Sequence, residues 1–283
     1  GIIITNLQIE NIEQCNKFCK NRGPDHTEMV TINGIRFIHN LLHITGGKKF
    51  QPLRHNNCVA IFNGEIYNYK ELYKDSITDG DCIIPTYLKK GDTFIKEFDG
   101  DFCVVLFDFE NKKLFISGDT FATKPLFFHI SNKAIIIASY FSCCRAINNN
   151  LRYNHIRPNE CLIFSLNNYT NIERYTITDF NLEQYKTNYD DWNYAFEKAV
   201  LKRIPDNSVP LVCLSSGMDS GAITCCVNKY NKPIYPVSIK KNENEEVLNN
   251  RKKIHNNLAF LNLSEAERIK WKQHLINNCE PCY

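Results

Sequence analysis

Residues Val209–Ser220 read Val-Pro-Leu-Val-Cys-Leu-Ser-Ser-Gly-Met-Asp-Ser, and a second apolar run, Ala222–Val227, follows. An apolar run, a Ser/Gly turn and an Asp-Ser opening another apolar run predict a buried parallel strand, a tight loop and a helix N-terminus. In that arrangement the loop N–H groups and the positive end of the helix converge where the strand stops. Such a place binds phosphate.

The flanking sequence predicts two different halves. Upstream, Gly1–Thr5 is an apolar strand and Asn11–Lys20 a helix, and Gly34–Thr45 carries two short strand-like pieces. Cys58–Phe62 is an apolar strand that runs into Asn63-Gly64-Glu65. Phe102–Phe109 and Leu114–Ser117 flank a hairpin turn, Leu126–Ile130 and Ala134–Ser139 flank another, and Cys161–Leu166 adds a strand. Short helices fit Asn68–Lys74 and Cys82–Lys90. Many short strands with few helices predict two stacked antiparallel sheets covered by helices.

The pattern changes near Phe180. Tyr189–Arg203 has helical spacing of Trp192, Phe196, Ala199, Val200 and Arg203. Ile234–Ile239 is a second buried strand, Glu243–Asn257 a polar helix, Leu258–Leu263 an apolar piece and Ser264–Asn277 a last helix. Strand–helix–strand–helix order predicts a parallel α/β sheet. The boundary falls at about residue 185, giving domains 1–185 and 186–283.

Composition excludes several classes. With 43% hydrophobic residues in 283, the chain has ample core for two domains. The net charge is only +3, with no basic stripe interleaved with aromatics, which argues against a nucleic-acid partner. No apolar run approaches the roughly 20 residues of a membrane span. The thirteen cysteines are odd in number and include the adjacent pairs Cys143-Cys144 and Cys225-Cys226, a poor disulfide framework. Reduced thiols in a cytoplasmic protein are expected. Cys279 and Cys282 form a C-x-x-C without a second pair, so zinc is not expected. His39 and His43 sit four apart in a strand-like segment, where they would stand roughly 13 Å apart, too far to share an ion.

Seven phrases then line up in one order: Arg22-Gly23-Pro24-Asp25, Gln51-Pro52-Leu53, Phe62-Asn63-Gly64-Glu65-Ile66-Tyr67-Asn68, Asp81-Cys82, Gly100-Asp101-Phe102, Lys124-Pro125-Leu126 and Leu214-Ser215-Ser216-Gly217-Met218-Asp219-Ser220. Together, across nearly the whole chain, they resemble the glutamine-dependent asparagine synthetase family. The resemblance implies a class II glutamine amidotransferase (Ntn) domain, an α+β αββα sandwich, followed by an α/β ATP-pyrophosphatase domain. The chain ends at Pro281-Cys282-Tyr283, short of a complete synthetase domain of that family.

What the resemblance implies for the first domain is a cysteine nucleophile immediately before Gly1, with its own α-amino group as base. Asn63 and Gly64 would form the oxyanion hole. Asn63, Gly64, Glu65 and Asp81 would bind glutamine, Asp81 taking the α-ammonium. The family's carboxylate-binding Arg falls on Leu41, and Leu cannot make a bidentate pair with a carboxylate. His43 and Arg36 are the nearby replacements. Lys124 reads as packing between domains.

For the second domain the resemblance implies a pyrophosphate loop of Ser215, Ser216, Gly217, Asp219 and Ser220. Adenine would lie against Cys213 and Ile239. Asp219 would help hold Mg²⁺, with ATP as the nucleotide. The family usually has Gly at Ser216, so Ser fits there only with a negative φ. ATP would activate a carboxylate, aspartate in the archetype, and ammonia would displace AMP to leave an amide. A homodimer is compatible with this reading.

Three functions remain open at the level of sequence. One is an ATP-dependent amidotransferase using glutamine or ammonia. Another is an amide-forming ligase of the same fold without glutaminase activity, like the β-lactam synthetases. The last is a non-catalytic degenerate homologue.

Overall fold

A computed structural model describes the chain except residues 184, 206, 207, 241 and 281–283. Cys282 of the C-x-x-C, and Lys241 beside Lys240, lie outside the described residues. Contacts divide the chain into one unit of Gly1–Asn181 with the stretch from Ile276 onward, and another of Leu182–Leu275.

The first unit runs, in chain order, through β1 (Ile2–Thr5), α1 (Ile12–Arg22), β2 (His26–Ile32), β3 (Ile35–Leu41), β4 (Leu53–His55), β5 (Cys58–Ile66) and α2 (Tyr69–Leu72). A 3-10 turn over Asp79–Cys82 leads into α3 (Ile83–Lys90) and a second 3-10 stretch, Gly91–Glu97. Then come β6 (Gly100–Asp108), β7 (Lys113–Gly118), β8 (Phe127–Ile130), β9 (Ile135–Ala138), α4 (Phe141–Ile147), β10 (Asn154–His155), β11 (Glu160–Ser165) and β12 (Asn171–Thr176).

These strands form two six-stranded sheets, ordered β10-β8-β9-β1-β3-β2 and β12-β11-β7-β6-β5-β4. Every pairing within them is antiparallel. The side-chain period of two explains the layering. From β6, Cys103, Val105 and Phe107 point between the sheets to meet Ile2, Ile4 and Phe37. The alternate residues Phe102, Val104 and Leu106 point outward to Ile83, Tyr87 and Phe94 of the covering helical segments. On the other sheet Ile3, Ile38 and Ile136 face Cys15 and Cys19 of α1 and Cys143 of α4. The order is therefore helix, sheet, sheet, helix. Strands buried on both faces need apolar side chains at every position, which is why β1 reads Ile-Ile-Ile and is wholly buried. Each such side chain contributes roughly 1.5–3 kcal/mol of burial.

The second unit carries α5 (Asp190–Lys202), β13 (Leu211–Cys213), α6 (Met218–Lys229), β14 (Tyr235–Ile239), α7 (Glu245–Ile254), β15 (Ala259–Leu261) and α8 (Glu265–Asn278) up to Leu275, the rest of α8 belonging to the first unit. Its strands pair in parallel, β13-β14-β15, with Cys213 opposite Val237 and Ile239 opposite Leu261. No helix among the described residues is long and apolar enough to cross a membrane.

Some elements differ from expectation. Gly34–Thr45 is not two strand pieces but the single strand β3, which ends at Leu41 and pairs along its length with the unanticipated β2. The strand β2 mixes His26, Thr27, Glu28 and Thr31 because it is a sheet edge, so it lacks an apolar run. The edge strand β12, Asn-Ile-Glu-Arg-Tyr-Thr, escapes notice for the same reason. Finally, β5 does not end at Phe62. It continues through Asn63-Gly64-Glu65 to Ile66, paired to β6 throughout.

Candidate functional site

A cavity of ≈ 390 Å³ opens in the first unit, lined by Gly1 at the start of β1, Leu41 and His43 after β3, Asn63, Gly64 and Glu65 on β5, Asp79 on the 3-10 turn, and Arg22, Lys49 and Lys124. The sequence phrases build its walls. A β-carbon on Gly23 would lie 2.1 Å from the Asn40 carbonyl oxygen, so only glycine lets α1 end against β3. Asp25 accepts from the His43 backbone N–H at 2.8 Å and its own N–H donates to the Leu41 carbonyl at 3.0 Å, fixing the turn out of β3. Gln51 is buried and accepts from the Phe62 N–H at 2.8 Å, which anchors β5 one residue before Asn63. The Gly1 nitrogen donates to the Asn40 carbonyl at 3.0 Å, and the Asn40 N–H donates back to the Gly1 carbonyl at 2.8 Å. His39 is buried beneath this corner, and burial pushes its pKa down to about 3, so it is neutral.

Two neighbouring residues of β5, Asn63 and Gly64, line the cavity. The Asn63 side-chain nitrogen Nδ2 is buried without any hydrogen-bond partner, although the residue lines the cavity. A buried donor left unsatisfied costs about 1–3 kcal/mol, unless a ligand completes it. Beside it, Gly64 has φ +138°, and a β-carbon there would lie 2.0 Å from the Asp101 carbonyl oxygen.

The carboxylates divide differently from expectation. Asp81 does not line the cavity. Its Oδ2 accepts from the backbone N–H groups of Ile77 at 2.9 Å and Thr78 at 3.0 Å, and Oδ1 pairs with Lys49. Although burial opposes it, these partners hold its pKa below the usual carboxylate range. Asp79, two residues earlier, lines the cavity instead. It is 7% exposed and accepts from the N–H groups of Ile66 and Gly80, each at 3.0 Å. Burial, then the nearby charge of Glu65, pushes its pKa up to about 7. Glu65 accepts from the Thr45 hydroxyl, and burial raises its pKa too. The sequence gives no means of telling Asp79 from Asp81, because the choice depends on how the 3-10 turn is wound.

Leu41 lines the cavity, as does His43, whose Nε2 is 2.9 Å from the Gly46 carbonyl. Arg36 lies on β3 opposite Thr5 and Thr31 and is not in the lining. Lys124, expected in packing, is part of the lining.

In the second unit Ser215, Ser216 and Gly217 form the loop between β13 and α6, and Asp219 and Ser220 lie in the first turn of α6. Ser216 is not among the described residues with positive φ, which meets the condition for Ser in place of Gly. Ser215 Oγ and Ser220 Oγ are 3.0 Å apart, and the Gly217 N–H donates to Ser215 Oγ at 3.1 Å. Arg251 of α7 reaches over, donating to the Gly217 carbonyl at 2.8 Å and to Ser220 Oγ at 3.3 Å. The Glu243 carboxylate accepts from the Ser216 N–H and its pKa is held down by that residue. An anionic oxygen thus occupies the Ser216 amide, while the Ser215 and Gly217 N–H groups donate to Ser220 Oγ and Ser215 Oγ within the loop. Cys213 and Ile239 end the neighbouring strands β13 and β14 and are both exposed. Asp219 is exposed, and among the described residues no group of three or more His, Cys, Asp or Glu side chains could hold a metal. The donor set does not fit a magnesium ion held by protein groups alone.

A family profile described as a glutamine amidotransferase domain matches residues 1–177. A putative asparagine synthetase (glutamine-hydrolyzing) 1 of Methanocaldococcus jannaschii is 27% identical over 86% of this chain and 54% of its own length. A probable asparagine synthetase (glutamine-hydrolyzing) of Acanthamoeba polyphaga mimivirus is 25% identical over 74% of this chain and 44% of its own. The chain thus spans about half the length of these curated relatives. Among solved structures, the allosteric regulatory enzyme of purine biosynthesis aligns at a TM-score of 0.48 with 13% identity, over 95% of this chain and 69% of that one.

Proposed function

Because this chain belongs to the glutamine amidotransferase domain family, we propose that its first unit releases ammonia from the side-chain amide of glutamine. The observation that carries this reading is the buried, unpartnered Asn63 Nδ2 beside Gly64 in the cavity that Gly1 lines. The nucleophile would be a cysteine thiol joined ahead of Gly1, whose own amine takes the thiol proton. Attack on the amide carbon gives a tetrahedral oxyanion that accepts from Asn63 Nδ2 and the Gly64 backbone. Collapse expels ammonia and leaves a thioester, and water then releases glutamate and restores the thiol.

The second unit would use that ammonia to form an amide. Bound ATP supplies the activation of a carboxylate, aspartate by analogy with the relatives, and its accompanying Mg²⁺ offsets phosphate charge. The hydroxyls of Ser215 and Ser220 and the first turn of α6 would hold the phosphates. Asp219 would contribute one carboxylate toward holding that ion, only together with the bound nucleotide. Incubation of the full-length protein with ATP, Mg²⁺, aspartate and amide-labelled glutamine tests this. Label entering asparagine with equal pyrophosphate supports it, and pyrophosphate release without any label transfer from glutamine contradicts it.

Leu41 favours a second reading, an amide-forming ligase of the same fold that takes free ammonia. In that case pyrophosphate release depends on ammonium and is indifferent to glutamine.

A further inference from the structure

Between α1 and the sheet that carries β1 and β3, the packing is apolar, with Ile3, Ile38, Cys15 and Cys19 at its centre. Two buried carboxamides nevertheless join this helix to this sheet. Asn16 of α1 is 6% exposed and Asn40 of β3 is 1% exposed. They pair reciprocally: Asn16 Nδ2 donates to Asn40 Oδ1 at 3.0 Å, and Asn40 Nδ2 donates to Asn16 Oδ1 at 2.7 Å. The Thr27 hydroxyl of β2 also donates to Asn40 Oδ1, at 2.9 Å. One helix and two strands thus meet on a single side chain. A buried amide costs free energy unless it is bonded, and a closed ring of two amides fixes position and orientation together, which an apolar contact does not.

What Asn40 holds is the start of β1. Its backbone N–H donates to the Gly1 carbonyl at 2.8 Å, and its carbonyl accepts from the Gly1 nitrogen at 3.0 Å. A Gly1 nitrogen in amide form keeps that donor. Asn40 Nδ2 comes within 3.5 Å of the same Gly1 carbonyl. The helix α1 also touches Gly1 directly: a β-carbon there would lie 3.2 Å from Cys19 Cβ, and Cys19 is three residues along the helix from Asn16. Gly1 and Asn40 line the cavity and Asn16 and Thr27 do not.

We infer that Asn16 is a positioning residue for the amide-cleaving reaction: through its paired amide with Asn40 it fixes Gly1, and with Gly1 the thiol joined ahead of it, in register with the Asn63 side chain. This rests on the glutamine reading and adds to it a residue that touches neither substrate nor reacting atoms. A misplacement of about 1 Å at an attacking group costs up to about 10²-fold in rate. Loosening the amide ring therefore slows attack and leaves the contacts of the bound substrate as they are.

The experiment follows inactivation of the full-length protein by a chloroketone analogue of glutamine, in which the thiolate displaces chloride and forms a thioether. The limiting first-order rate at saturation belongs to each folded molecule, so a variant that is merely less stable keeps the parent's rate. Asn16→Leu, close in size and unable to pair, is expected to lower that limiting rate about 10-fold and to leave the half-saturating concentration within about 2-fold of the parent. Asn16→Asp, which when ionised accepts from Asn40 Nδ2 and cannot donate in return, is expected to fall between the two. Thr27→Val, which leaves the amide pair intact, is expected to lower the rate by only about 2-fold to 3-fold. A limiting rate in Asn16→Leu equal to the parent's, or a raised half-saturating concentration with the rate unchanged, overturns the assignment. Should Asn16→Leu lose its native circular dichroism, Asn16→Asp and Thr27→Val decide, and parent-like limiting rates in both overturn it. A parent that the chloroketone leaves unmodified overturns the glutamine reading itself, and this assignment with it.

Discussion

A β-carbon on Gly64 would lie 2.0 Å from the carbonyl oxygen of Asp101, across the β5–β6 pairing. The residue also has φ +138°, a conformation that side chains rarely adopt. Gly64→Ala therefore meets both a backbone clash and strain. A loss of roughly 1–3 kcal/mol or more is expected, read as a lower denaturant midpoint. A variant as stable as the parent would show that β5 is not held as described.

Asn63→Ala is expected to behave in the opposite way. Its Nδ2 has no partner to lose, so stability should hold or rise slightly. Glutamine hydrolysis should fall by about 10²–10³ in kcat. Steady-state glutamate release, beside a denaturation curve, separates the two effects.

Asp79 sets a pH dependence. Its folded pKa is raised from 3.8 to about 7, chiefly by burial. A carboxyl raised on folding contributes stability that is fully present below pH 3.8 and lost as pH rises through 7. Glu65, whose pKa is also raised, shares the cavity, as do Lys49, Lys124 and His43. Asp79→Asn should flatten the fall in urea midpoint between about pH 4 and pH 7. An unchanged profile would contradict this origin.

His39 acts with the reverse sign. Burial lowers its folded pKa from 6.5 to about 3, so its contribution is present above pH 6.5 and lost as pH falls toward 3. His39→Gln should lose part of the acid-side destabilisation in the same assay. Native-state acid titration followed by near-UV circular dichroism checks it.

Much of this architecture is legible in the residues, for physical reasons. A strand buried on both faces has to be apolar throughout, so β1, β6 and β9 announce themselves. The loop before α6 is readable because a Ser/Gly turn between apolar runs admits few conformations. Edge strands such as β2 and β12 are not readable, since only pairing makes them strands. Nor are the roles within the cavity. Asp79 and Asp81 are chemically identical and two residues apart, and only the 3-10 turn sends one inward and the other to Lys49. Lys124, which reads as a packing residue, becomes a cavity residue only once β5, β3 and the loop after β7 converge.

Thiol chemistry offers an independent check of the core. Among the described cysteines Cys213, Cys225 and Cys279 are exposed, while Cys15, Cys19, Cys58, Cys82, Cys103, Cys143, Cys144, Cys161 and Cys226 are buried. Burial raises the Cys103 thiol to about 11, which slows alkylation further. Brief iodoacetamide treatment of native protein should label the exposed set first. Early labelling of Cys103 or Cys143, by peptide mass spectrometry, would contradict the layered core.

The most direct measurement is glutamate release from glutamine by the full-length protein, with the residue ahead of Gly1 identified by N-terminal sequencing, compared with its Asn63→Ala variant. The account predicts hydrolysis by the parent that falls about 10²–10³-fold in the variant. No hydrolysis by the parent, or equal hydrolysis by both, would contradict it.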